Sequence, residues 1–205
     1  MSDHAEAHPA LVKDSHYPRK IFHALAASII PLLYILNIFT WEVSLVLVAA
    51  ATVIWGGLDY LRQWHKGFNR FAIGILGPLL KTREAHSLTS SSYVLMASTI
   101  VIALLEQKTA CASLFFLAWG DPAAAVAGKR FGRHKLSNGK SWEGSAVMFL
   151  ICMAAGYAVA LPIMVSIAGA MAATLTELYV TRIEDNFAVP VFSGFVMALT
   201  GMAFP

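Results

Sequence analysis

Asp121 sits in an apolar stretch, and a basic segment punctuated by glycine follows it. The run is Gly120-Asp121-Pro122 through Gly128-Lys129-Arg130-Phe131-Gly132-Arg133-His134-Lys135, then Gly139-Lys140-Ser141-Trp142-Glu143-Gly144-Ser145. An unpaired carboxylate in an apolar helix is costly, so Asp121 is either functional or tied to a Lys or Arg near the interface. Glycines let a backbone approach a phosphate, a helix entered at about Ser141 presents free N–H groups, and Lys and Arg supply charge. The chemistry this suits is phosphate binding. A basic loop lying against anionic lipid headgroups would explain the charge, but not the Gly-Lys-Ser-x-Glu-Gly arrangement. Gly139-Lys140-Ser141 is not the end of a nucleotide P-loop. His134 stands where that motif needs its first glycine, and a membrane helix rather than a strand precedes the loop.

A second cluster runs from Thr174 to Pro190. Glu177 shares a helix face with Thr174 and Thr181, and Glu184, Asp185 and Asn186 follow where that helix ends. Grouped oxygen ligands of this kind suit magnesium, which is held by one or two carboxylates plus substrate phosphates. The plainer alternative is an acidic turn between helices. A third set is more scattered. Arg19, Lys20 and His23 open the first apolar stretch, Asp59 and Arg62 close the second, and Arg83 and Glu84 precede the third. Interfacial Lys and Arg commonly act as snorkelling anchors, and Asp59–Arg62 and Arg83–Glu84 also suit structural ion pairs.

The elements that position these groups are membrane helices. Of the 205 residues, 58% are hydrophobic and 13% charged, too little charge to cover a soluble domain of this length. Apolar stretches at about 21–39, 41–60, 91–106, 109–127, 145–161, 163–180 and 187–204 have the length of spans. Leu161-Pro162 divides the long run from Ala146 to Val180, because a proline ends one helix and can start the next. Residues 71–80 are apolar but too short to cross, and fit a re-entrant or interfacial segment. The expected fold is all-α, a single polytopic domain of about seven transmembrane helices over 21–205, behind a polar leader over 1–20.

With alternating spans, 14 of the 15 Lys and Arg residues fall on one side and only Lys108 on the other. The positive-inside rule makes the rich side, and the N-terminus, cytoplasmic. Gly120, Ala124 and Gly128 recur every four residues and leave one helix face nearly bare backbone, which allows close helix packing. Cys111 and Cys152, both in apolar runs, read as buried small hydrophobes.

Together these segments resemble the CTP-dependent lipid-alcohol kinases, the membrane family that includes dolichol kinase, phytol kinase and yeast-type diacylglycerol kinase. The matching pieces, in family order, are Arg19-Lys20-x-x-His23; Asp59-x-x-Arg62; Arg83-Glu84 with Leu88-Thr89 and Tyr93; and Gly120-Asp121-x-x-Ala124 through Gly132. Gly139-Lys140-Ser141-x-Glu143-Gly144-Ser145 follows, then Glu177 and Asp185-Asn186-x-x-x-Pro190. The chain looks like the compact form of the family, without the extra spans of dolichol kinases.

The resemblance implies transfer of the terminal phosphoryl group of CTP to the hydroxyl of a membrane lipid alcohol of the phytol, polyprenol or diacylglycerol type. It implies catalytic roles for Asp121, Lys140 and Glu143, with Asp121 accepting or orienting the hydroxyl proton. It implies phosphate and nucleotide contacts from Lys129, Arg130, Gly132, Arg133, Gly139, Ser141, Arg62 and Arg83, and magnesium or another divalent cation near Asp185, Asn186 and Glu177. Arg19, Lys20, His23, Asp59 and Glu84 are further candidates. The expected partners are CTP, the lipid alcohol and the bilayer, with no nucleic acid, and the expected site is on the cytoplasmic side of the membrane. Two other readings are open: a phosphatidate cytidylyltransferase-like CTP enzyme and, ranked lower, a small ion-coupled transporter using Asp121 and Glu177.

Overall fold

The computed structural model describes residues 17–76, 84, 87–136, 138–180 and 182–203. The regular structure among them is helical. The elements are α1 (Tyr17–Ile35), α2 (Trp41–Trp64), α3 (Lys66–Leu76), α4 (Ser90–Leu104), α5 (Gln107–Phe115), α6 (Asp121–Phe131), α7 (Trp142–Ala158), α8 (Ile163–Tyr179) and α9 (Asp185–Ala203). A π-helical turn over Phe116–Gly120 joins α5 to α6, so that Gln107–Phe131 is one continuous helical rod. Among the described residues, three stretches are long and apolar enough to cross a membrane: Trp41–Trp64, Gln107–Phe131 and Asp185–Ala203. Lys20–Ile35, Ser90–Leu104, Trp142–Ala158 and Ile163–Tyr179 are shorter apolar helices. Helix for helix, these seven coincide with the seven apolar segments of the sequence.

The boundaries differ in instructive places. Helix α2 runs past residue 60 to Trp64, carrying Asp59 and Arg62 inside the helix. The short segment near residues 71–80 belongs in part to α3, while its last four residues lie outside the described set, as do the leader to residue 16, Arg83 and Thr181. At the α7–α8 break, Ala160 takes φ 57° and Pro162 caps α8. Helix α9 starts at Asp185, so Asp185 and Asn186 occupy its first turn instead of a free connector. A carboxylate there meets the positive end of the helix dipole.

The rod Gln107–Phe131 is the centre of the bundle: 61% of its apolar window is buried, against 6% for Trp41–Trp64. Phe116 and Leu117 of the π turn pack with Met148 and Cys152 of α7, Ala170 and Ala173 of α8, and Val189 and Met197 of α9. Pro122 accounts for the irregularity. It has no N–H to give the carbonyl four residues back, and its ring crowds that carbonyl. The backbone widens into a π turn over the five residues ending at Gly120. Asp121 therefore emerges just after a break in helical register.

Small residues let α6 and α7 cross at backbone distance. A Cβ on Gly144 would lie 2.7 Å from the Ala124 carbonyl oxygen and 3.4 Å from the Gly128 Cα. One on Gly120 would lie 3.0 Å from Cys152 Sγ. The four-residue repeat thus serves packing, as its spacing predicts. Gly144→Ala is expected to force the two helices apart and cost about 1–3 kcal/mol, read as a lower thermal midpoint in detergent. Gly74→Ala, with nothing within 4 Å of the added carbon, should be neutral or slightly stabilising.

Candidate active site

Lys140 is the hub of a polar cluster at the helix ends. Its Nζ lies 3.0 Å from Glu177 Oε1 and 3.5 Å from Asp185 Oδ2, and also donates to the Glu177 backbone carbonyl. The Glu177 side chain is 9% exposed and that of Lys140 25%, so the pair sits in the protein surface rather than on it. Asp121 and Asp185 both lie within Coulombic range of the Glu177 carboxylate. The α6–α7 loop, α8 and α9 thereby meet at one ammonium group and two carboxylates, those of Glu177 and Asp185.

The loop that delivers Lys140 is a small closed structure. Lys135 and Ser141 pair across it, Leu136 N–H donates to the Lys140 carbonyl at 2.8 Å, and Gly139 N–H donates to the Leu136 carbonyl at 2.9 Å. Gly139 has φ +82°, which a side chain would disfavour. Asn138 ties the turn to its neighbour: its amide donates to the Leu178 carbonyl at 2.7 Å, and its Oδ1 accepts from Lys140 N–H at 3.1 Å. Ser141 then caps α7, accepting from Gly144 N–H at 3.1 Å. Asn138 was not among the residues singled out from sequence, although an Asn-Gly pair before a helix is a turn signal.

On the other side of the α7 start lies an open cleft of about 510 Å3, lined by Arg130, Phe131, Gly132, Arg133, His134 and Glu143. Arg130 lies over the Phe131 ring at 5.6 Å from its centroid. Glu143 Oε1 is 2.7 Å from His134 Nδ1 and accepts from His134 N–H at 3.2 Å. The His134 hydrogen bond, helped by the backbone N–H groups of Glu143, His134 and Arg133, lowers the Glu143 pKa to about 2. Glu143 is therefore a carboxylate, an acceptor and not an acid, across the physiological range. Lys129, Arg130 and Arg133 stand exposed around this loop.

The remaining candidates divide in two. His23 Nε2 and Asn186 Oδ1 are 3.0 Å apart, which links α1 to the first turn of α9 beside Asp185. Asp59, Arg62 and Glu84 form a separate network buried between α2 and the start of α4. Asp59 accepts from Arg62 Nε at 2.6 Å, Thr89 N–H at 2.6 Å, Thr89 Oγ1 at 3.0 Å and Ser92 Oγ at 2.5 Å. Arg62 also donates to Asn69 Oδ1 at 2.9 Å and to the carbonyls of Glu84 and Ser87 at 2.6 and 2.7 Å. Glu84 in turn accepts from Ser90 N–H and Oγ. Asp59 and Arg62 are each 4% exposed. In this arrangement Arg62 directs its guanidinium to these internal acceptors rather than to the basic loop, and the network reads as a brace.

The chain was compared with known proteins. No family profile and no solved structure matches it. It is 26% identical over 208 aligned residues to the CTP-dependent diacylglycerol kinase 1 of Eremothecium gossypii, and 26% identical over the same length to that of Saccharomyces cerevisiae, each match covering 88% of the chain. It is 24% identical over 160 residues to that of Schizosaccharomyces pombe, covering 69%. The matched region spans 65%, 71% and 73% of the three relatives' own lengths.

Two outcomes follow from the geometry. Asp59→Asn strips a buried guanidinium of its counter-charge and should cost about 3–5 kcal/mol, measured as loss of thermal stability without loss of insertion. The Glu143–His134 link involves a carboxylate whose folded pKa is depressed. It should be complete above the ordinary value of 4.5 and be lost as pH falls through about 2. A carbon-13 titration of the Glu143 carboxylate checks this, and His134→Ala should return the midpoint toward 4.5. A wild-type midpoint near 4.5 would mean that the pair does not form in solution.

Proposed function

We propose that this chain is a CTP-dependent kinase that transfers the terminal phosphoryl group to the hydroxyl of a membrane lipid alcohol. Its likeness to three CTP-dependent diacylglycerol kinases supports that family, and their name makes diacylglycerol the first acceptor to try, ahead of phytol and polyprenols. The observation that carries the reading is the meeting of Lys140 with Glu177 and Asp185 at the end of the basic loop.

The chemistry asks for cations at the phosphates and a positioned acceptor. Lys140 places its ammonium where a triphosphate would meet the acidic cluster, with Lys129, Arg130 and Arg133 around the loop as further phosphate contacts. Asp121, just beyond the π turn, accepts or orients the proton of the lipid hydroxyl. That oxygen forms the new bond to the γ-phosphorus as the bond to the bridging oxygen breaks, CDP leaves, and the proton passes to Asp121. Ionised Glu143 orients the loop through His134 rather than donating a proton.

A divalent cation, magnesium in the first instance, would be held by the hard oxygen donors of Asp185 and Glu177, with Asn186 adjacent. Among the described residues no three His, Cys, Asp or Glu side chains make a metal site unaided. An ion there would be held partly by substrate phosphates. When bound, it would neutralise charge on the substrate phosphates. The seven apolar helices are read as seven spans with a cytoplasmic N-terminus, because that arrangement collects the basic loops on one side. The nucleotide then arrives from the cytoplasm and the alcohol from the bilayer.

Membranes carrying the chain should move label into lipid from gamma-labelled CTP and not from alpha-labelled CTP. Label from the alpha position alone would make it a cytidylyltransferase. Asp121→Asn should lower turnover at least ~100-fold with insertion intact. Lys140→Ala should raise the KM for CTP about tenfold or more while leaving the lipid KM unchanged. An effect confined to the lipid KM would remove Lys140 from the phosphates.

A further inference from the structure

A half-enclosed cleft of about 230 Å3 lies between the C-terminal part of α2 and α3. Its apolar wall is built by Trp55, Leu58, Phe68, Phe71, Ala72 and Ile75. Its polar neighbours are already committed elsewhere. Asp59 takes four hydrogen bonds, Arg62 gives four, and Thr89 is tied to Asp59. Little in the wall is left to recognise a headgroup.

Leu58, in the wall of the cleft, is 46% exposed, and α2 carries further exposed apolar side chains at Val53 and Ile54. Helix α2 is one of the helices long enough to cross a membrane. Helix α3 repeats apolar residues at Phe68, Phe71 and Ile75, with Asn69 and Arg70 between them. This is the pattern of a helix lying at a membrane surface with its apolar side inward. An apolar cavity of ~150 Å3 in a soluble protein stays dry and takes up benzene, so a larger one open to hydrocarbon has room for part of a chain.

We propose that the α2–α3 cleft is a binding site for one acyl chain of a bilayer phospholipid, held by its hydrocarbon and not by its headgroup. The chain fills the apolar wall and keeps water from the Asp59–Arg62 pair at its side. The proposal does not depend on the kinase reading.

The test uses the full chain in phosphatidylcholine nanodiscs doped with a phosphatidylcholine that carries a diazirine midway along one acyl chain. After irradiation, crosslinked peptides are mapped. Labelling at Trp55, Phe68, Phe71 and Ile75 should exceed that at the freely lipid-facing Val46 and Val53. Ala72→Trp should lower it about tenfold, the ratio that ~1.4 kcal/mol of lost chain contact produces, while Val46 and Val53 stay as they were. Ala72→Leu serves if the tryptophan variant fails to insert. A diacylglycerol bearing the same photoreactive chain should label the cleft equally. Labelling no stronger than at Val46 and Val53 means annular lipid only and overturns the proposal. So does labelling that Ala72→Trp and Ala72→Leu leave unchanged, labelling by diacylglycerol alone, or closure of the cleft by the chain's own residues 77–83 in crosslinked peptides.

Discussion

A charge buried among apolar helices must be matched, and it draws its partners from wherever the chain can supply them. This constraint organises the structure twice. Asp59 takes donors from α2 and from Thr89 and Ser92 at the start of α4, thirty or more residues away. Glu177, inside α8, takes Lys140 from a loop thirty-seven residues earlier and shares it with Asp185 of α9. Each match fixes where a connecting segment runs. Glu177 and Asp185, with Asn138, hold the Lys140 turn against α8 and α9.

The two clusters have different characters, and exposure separates them. Asp59 and Arg62 are buried beside the α2–α3 cleft and saturated with internal hydrogen bonds. Such a network fixes geometry and has little capacity left for a ligand. The Lys140 cluster is partly open, carries more negative than positive charge, and lies at helix ends. An excess of carboxylate beside a basic loop suits a divalent cation and a polyphosphate together, each neutralising what the other brings. The same kinds of residue thus brace one part of the protein and build the candidate site in another.

The crossing of α6 and α7 connects packing to the site. Gly120, Ala124 and Gly128 admit α7 at backbone distance, which brings the capped start of α7 beside the end of α6. The loop between them is short, and it has to turn through Gly139 and return to Ser141. Pro122 and the π turn add the second adjustment, re-aiming the helix where Asp121 leaves the bundle core. Small residues and one proline therefore position acidic and basic side chains that lie far apart in sequence.

Much of this was legible in the residues alone. Apolar runs located the seven apolar helices, three of which are long enough to cross a membrane, since a helix in hydrocarbon must satisfy its own backbone and needs a fixed number of residues to do so. Gly-x-x-x-Ala-x-x-x-Gly announced the close crossing, Pro162 the break between α7 and α8, and the site motifs the residues worth watching. These are local properties, set by composition and spacing. Tertiary structure decided which charges meet. Asp59–Arg62 is a pair three residues apart, but its donors Thr89 and Ser92 come from another helix. Lys140 finds Glu177, His23 finds Asn186, and Asn138 finds the Leu178 carbonyl only because α1, α8, α9 and the loop converge. Residue type and spacing mark a polar group as needing a partner in an apolar medium; only the packing of distant helices determines which partner it gets.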